Sequence, residues 1–144
     1  MKLIEISESG ELSVPTRLDD ELRAVIEATV SFYRRTGFVS PWVCYVATEE
    51  GVAVGVCGFK SPPVAGRVEI AYGTMSGHEG RGIATAMARE LVRIGRQQDA
   101  SLIVFAQTLP EESASTSVLK KVGFTFTGSV EHPEDGTVWE WELA

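Results

Sequence analysis

Apolar positions along the 144-residue chain switch between two spacings, and the switches mark an alternating α/β order. Lys2 to Ile6 has the content of a short strand ending at the Ser9-Gly10 turn. Leu18, Leu22, Val25, Thr29 and Phe32 then recur at steps of four and three, one face of a helix. Asp19, Asp20 and Glu21 put negative charge at its first turn, and Gly37 stops it. Trp42 to Thr48 and Val52 to Phe59 are apolar, β-branched runs joined at Glu49-Glu50-Gly51, which predicts a hairpin. Beyond turns at Pro62-Pro63 and Gly66, Arg67 to Met75 forms another strand, and Gly82 to Gln98 returns to helical spacing. Ser101 to Gln107 is a buried strand, a helix runs from Ser113 to Lys121 with Gly123 as its cap, and Phe124 to Val130 and Thr137 to Leu143 flank a turn at Pro133 to Gly136.

A strand, crossover helix and strand in that order predict parallel pairing with a right-handed crossover. The hairpins on either side make the sheet mixed and antiparallel at both ends. The length suits one domain over residues 1–144, which hides about two-thirds of the unfolded surface. A formal net charge of −7 argues against a nucleic-acid partner, because duplex affinity needs a basic face. No apolar run approaches the ~18 residues of a membrane span. Cys44 and Cys57 sit inside apolar runs with no paired Cys/His spacing, so they are expected to be reduced core thiols of a cytoplasmic protein, with no metal site.

The turn Ser76-Gly77-His78-Glu79-Gly80-Arg81-Gly82-Ile83-Ala84-Thr85 joins the fourth strand to the long helix. Its glycines permit positive φ and close approach of a ligand, and the first free N–H groups of the helix add the positive end of its dipole. An anion cradle results. A Walker loop would carry Lys and Ser/Thr after the last glycine, where Ile83 and Ala84 stand, which disfavours a nucleotide hydrolase. The glycine spacing also departs from a Rossmann fingerprint, and the next strand ends Ala106-Gln107 without an acidic residue, which disfavours NAD.

The succession of strand, Glu79-x-x-Gly82-x-Ala84, amphipathic helix, apolar strand and then Leu109 to Phe124 resembles the GNAT superfamily of acyl-CoA-dependent N-acyltransferases. Val68-Glu69-Ile70-Ala71-Tyr72 followed by Glu79 to Thr85 is similar to its branch of ribosomal-protein N-terminal acetyltransferases, and the likeness covers roughly Trp42 to Phe126. The resemblance implies a mixed six- to seven-stranded sheet with helices on both faces and a splayed central strand pair. It implies acetyl-CoA as cosubstrate, with contacts from Thr74, Met75 and Ser76, from Glu79, Gly80, Arg81, Gly82, Ile83, Ala84 and Thr85, and from Ser115. The thioester is expected near Tyr72, Gly73 and Thr74, with the N–H of Gly73 or a neighbour donating to its oxygen.

Amine acylation needs a neutral nucleophile, since an ammonium has no lone pair, and Glu69 is the candidate base. Many relatives carry a tyrosine acid where this chain has Leu119; Ser115, matching a serine of the N-terminal acetyltransferase branch, is the candidate donor in its place. Glu112 stands where an asparagine is common. Cys44 and Cys57 lie outside both motifs, so direct attack in a ternary complex is expected rather than an acyl-enzyme. The expected acceptor is a small-molecule or peptide amine; Leu119 keeps open a noncatalytic acyl-CoA-binding module as the alternative. Arg89, Arg93 and Arg96 are expected on a solvated helix face, and the edge of the last strand is open to a homodimer.

Overall fold

The computed structural model describes residues 1–144 as strands β1 (Lys2–Glu5), β2 (Cys44–Glu49), β3 (Val52–Phe59), β4 (Arg67–Thr74), β5 (Ile103–Thr108), β6 (Thr125–His132) and β7 (Gly136–Leu143) with helices α1 (Asp20–Thr36), α2 (Ile83–Gln98) and α3 (Ala114–Val122). All strands join one sheet in the order β1-β2-β3-β4-β5-β7-β6. Only β4 and β5 are parallel, as expected for strands joined through a crossover helix. The mixed sheet antiparallel at both ends is therefore present.

Helix α1 starts where Asp19 accepts the Leu22 N–H at 2.8 Å, and stops at Gly37, whose N–H returns to the Tyr33 carbonyl. Its buried face differs from the expected stripe. Leu18 precedes the helix and is 49% exposed, while Tyr33 is buried. Tyr33 Oη donates to the Ile6 carbonyl at 2.9 Å and accepts the Cys44 N–H at 3.0 Å, so it pins α1 to the β1–β2 edge. A phenol can enter a core only when its hydroxyl finds such partners.

Helix α2 covers the opposite face through Ile83, Met87, Ala88, Leu91 and Gly95. A Cβ at Gly95 would lie 3.1 Å from Leu102, and Trp42 packs edge-on to Phe59 at 5.0 Å beside it. Arg89 and Arg93 keep the exposed positions expected for them, whereas Arg96 is half-buried. Arg96 donates to the Leu143 carbonyl at 3.0 Å, at the end of β7, and Arg89 to that of Lys121 at 3.4 Å, in the last turn of α3. Helix α3 opens with a reciprocal cap: Thr116 N–H donates to Ser113 Oγ and Ser113 N–H to Thr116 Oγ1.

The last hairpin folds inward, so β7 is flanked by β5 and β6. The free edge expected on the last strand thus belongs to β6, where Phe126 and Val130 remain exposed. Trp139 and Trp141 share a side as their alternation requires, and Phe126 packs 5.3 and 5.5 Å from them. No helix is long and apolar enough to cross a membrane.

Candidate functional site

Strands β4 and β5 pair only where Arg67, Val68 and Glu69 meet Ile103, Val104 and Phe105; beyond that point they diverge. Arg67 staples the joined end. Its guanidinium donates to Glu140 at 2.9 Å and Glu142 at 2.6 Å and lies 4.6 Å from the centre of the Phe105 ring. The hydrogen bond that Arg67 donates to Glu142 holds the guanidinium proton more firmly than usual.

On the other side, β4 is fully paired with β3, and this decides which amides are free. Met75 N–H donates to Val54 O, and Lys60 N–H to Glu69 O. Antiparallel alternation from these anchors turns the N–H groups of Ala71 and Gly73 toward β3 and those of Tyr72 and Thr74 into the gap. The Gly73 N–H expected to serve as a donor is therefore turned to β3 and is not free. The neighbouring N–H groups of Tyr72 and Thr74 are the ones left open toward the gap.

The loop before α2 is a second set of free donors. No atom of the protein accepts from the N–H groups of residues 79–85, apart from the helix ladder that begins at Ala86. Gly82 caps the helix in the left-handed region, φ 78°, with no side chain closing the end. At Gly80 and Gly82 a Cβ would meet nothing within 4 Å, so the space beside both glycines is open. Main-chain donors without an internal acceptor, at the positive end of a helix, suit a diphosphate.

Several side chains expected at the coenzyme are engaged elsewhere. Met75 is buried, and Ser76 gives its N–H and hydroxyl to Glu21 of α1, the hydroxyl at 2.8 Å. Glu79 accepts the Gly77 N–H at 3.0 Å. Arg81 turns to Glu49 at 2.7 Å and His78 at 2.9 Å, leaving its main chain to the cradle. Glu112 accepts from Lys120 and Thr116, and the Lys120 contact lowers its carboxyl from the ordinary value.

Between the diverging strands lies a cleft of about 90 Å³ lined by Lys60, Glu69, Tyr72, Gln107, Thr108 and Ser115, among others. Glu69 and Ser115, far apart in sequence, are brought to it together. Tyr72 Oη donates to the Ser115 carbonyl at 3.2 Å, and burial pushes this phenol up to about 12. Thr108 receives the Trp141 Nε1–H at 3.1 Å. Lys60 Nζ is 3.1 Å from Glu69 Oε2, an oxygen without a well-aligned hydrogen bond. Sequence reasoning did not assign Lys60, Gln107 or Thr108 to the site, nor a role to the Tyr72 hydroxyl. The register that sets Lys60 opposite Glu69 was the only signal available, and it required knowing the β3–β4 turn.

No curated protein sequence matches the chain. Among solved structures it is similar to RimL, a ribosomal L7/L12 α-N-protein acetyltransferase in complex with coenzyme A, at 17% identity and a TM-score of 0.65, covering 88% of this chain and 73% of that one. Aminoglycoside acetyltransferase AAC(6')-Ib in complex with coenzyme A matches at 20% identity and TM-score 0.61, over 71% of this chain and 65% of that chain. The microcin C7 self-immunity acetyltransferase MccE, in complex with acetyl-CoA and AMP, matches at 15% identity and TM-score 0.66, over 86% and 70%. These likenesses are of fold, and the chain spans about two thirds to three quarters of each structure's length. The sequence itself matches the acetyltransferase (GNAT) domain over residues 7–125. A splayed parallel pair beside an uncapped glycine loop, on a chain with that match, makes this protein a member of the GNAT family of acetyl-CoA-dependent acetyltransferases.

Proposed function

We propose that this protein acetylates a primary amine by direct attack in a ternary complex, with the reacting centre at the mouth of the β4–β5 cleft. The divergence of those strands after Glu69, beside the free N–H groups of residues 79–85, carries the reading. The main chain from Glu79 to Thr85 would hold the pyrophosphate of the cosubstrate, and the Tyr72 and Thr74 amides its acyl end. Acetyl-CoA supplies the acetyl group as a thioester.

The protein's own part is proton handling and orientation. Glu69 takes a proton from the amine, whose nitrogen bonds to the acyl carbon as the carbon–sulfur bond breaks. The sulfur leaves as a thiolate. A thiol near pKa ~8.5 is a stronger acid than the Tyr72 phenol, so the single Tyr72 O–H turns from the Ser115 carbonyl to the sulfur and stabilises the thiolate by hydrogen bonding, and the thiolate gains its proton from solvent. Ser115, whose hydroxyl has no partner in the protein, stands beside it as a second donor, and its carbonyl holds the Tyr72 hydroxyl in place until the acyl group arrives. Neither cysteine lines this cleft, which leaves no thiol for an acyl-enzyme.

The test is thiol release from acetyl-CoA over a panel of amines. Glu69→Gln is expected to lower kcat at neutral pH by ~10²-fold or more, with acetyl-CoA affinity by calorimetry retained. Unchanged kcat removes Glu69 from the mechanism, and coenzyme binding without turnover on any amine leaves a binding module instead.

A further inference from the structure

On the sheet face beneath α1, small residues line up across three strands. Cys44 is opposite Gly58, Gly58 opposite Ala71, and Val56 opposite Gly73. Directly opposed residues share a face, so this row lies on one side of the sheet with Lys60 and Glu69. Gly58 is required there, because a Cβ would fall 2.8 Å from both Cys44 Cα and the Val43 carbonyl. Above Gly73 a Cβ would meet nothing within 4 Å.

The row forms the floor of a trough of about 430 Å³ whose far wall is Val25, Ala28, Thr29 and Phe32 of α1. That volume falls within the ~300–1,000 Å³ of small-molecule sites. The trough shares Lys60, Ala71 and Tyr72 with the β4–β5 cleft, so it ends where Glu69 stands.

Charge selects the occupant. Lys60 is the one charged residue of the lining, and it already faces Glu69. A polycation would press further ammonium groups against Val25, Phe32 and Lys60, each losing water with no counter-charge. An alkyl or aryl body gains instead, at about 25 cal/mol per Å² of apolar surface removed from water.

Resting on the acetyl-transfer reading above, we propose that the acceptor is a small amine with one cationic centre on a compact apolar body, seated in this trough with its nitrogen at Ala71–Tyr72. Phenethylamine and hexylamine serve as probes against spermidine and kanamycin, with thiol release and ligand-observed NMR in the presence of coenzyme A as separate readouts. The apolar amines are expected to bind and to exceed the polycations at least tenfold in kcat/KM. Ala28→Asp and Val25→Asp, both on the α1 wall, are expected to weaken phenethylamine binding at least tenfold while circular dichroism remains unchanged. Equal binding of spermidine and phenethylamine, or phenethylamine binding indifferent to both variants, overturns the proposal. Phenethylamine held in the trough without thiol release from any amine would count against acetyl transfer alone, and turnover of spermidine with no apolar preference against the trough alone.

Discussion

Lys60 Nζ stands 3.1 Å from Glu69 Oε2, so the residue after β3 neutralises the carboxylate on β4 at the point where the cleft begins. That oxygen is shielded from solvent and has no aligned hydrogen bond, which leaves charge as its main partner. Lys60→Met is therefore expected to destabilise the protein more than Glu69→Gln does, because it strands a buried oxygen. A double-mutant cycle by urea denaturation should give a coupling of about 1 kcal/mol, kept small by the half-exposed lysine. Additive effects would show that the two groups do not interact in solution.

The cradle makes a distinction between bulk and charge. Gly82→Ala and Gly82→Glu both impose a side chain at φ 78°, and both are expected to lose about 1–2 kcal/mol of stability. Only the glutamate brings a negative charge to the diphosphate. Calorimetry should show coenzyme A affinity falling on the order of 10²-fold for Gly82→Glu, about 2.7 kcal/mol, and under tenfold for Gly82→Ala. Equal losses would move the pyrophosphate away from this helix end.

Tyr72 and Ser115 can be separated by truncation. Tyr72→Phe removes a hydrogen bond to a developing thiolate, a contact of about 1.5 kcal/mol or more, so kcat should fall about tenfold with KM for acetyl-CoA little changed. Ser115→Ala keeps the carbonyl that Tyr72 uses and is expected to cost less. The opposite ranking in steady-state kinetics assigns the donor role to the serine hydroxyl.

Alkaline pH should unfold this protein gradually. Burial raises the Cys57 thiol above its ordinary value of 9.0, and the Tyr33 and Tyr45 phenols above 10.0. In the unfolded chain these groups release protons first, so stability is complete below about pH 9 and declines as pH rises toward the native values. Scanning calorimetry from pH 7 to 11 should show Tm falling from about pH 9, with a shallower initial slope in Cys57→Ala. A Tm flat to pH 11 contradicts the assignment.

Much of the fold was legible because it is written locally. The Asp19 cap, the Gly37 stop, the Gly82–Gln98 periodicity and the β2–β3 turn depend on neighbours a few residues away. The errors fall where a distant partner decides. Tyr33 is buried because Ile6 and Cys44 satisfy its hydroxyl, and Leu18 is left out because the cap sits one residue beyond it. Met75 and Ser76 look like extensions of the phosphate loop, yet Val54 and Glu21 occupy their polar groups.

The sequence by itself determined the order of elements, the glycine loop ahead of α2 and the pairing of Glu69 with a strand before that loop, since periodicity and turn chemistry are properties of adjacent residues. Only the tertiary structure decided which amides face the gap, that Lys60 opposes Glu69, that Tyr72 reaches Ser115, and that small residues on three strands align into an apolar trough. Register between strands is set by the packing of the whole sheet, and shifting it by one residue would send every one of these side chains to the other face.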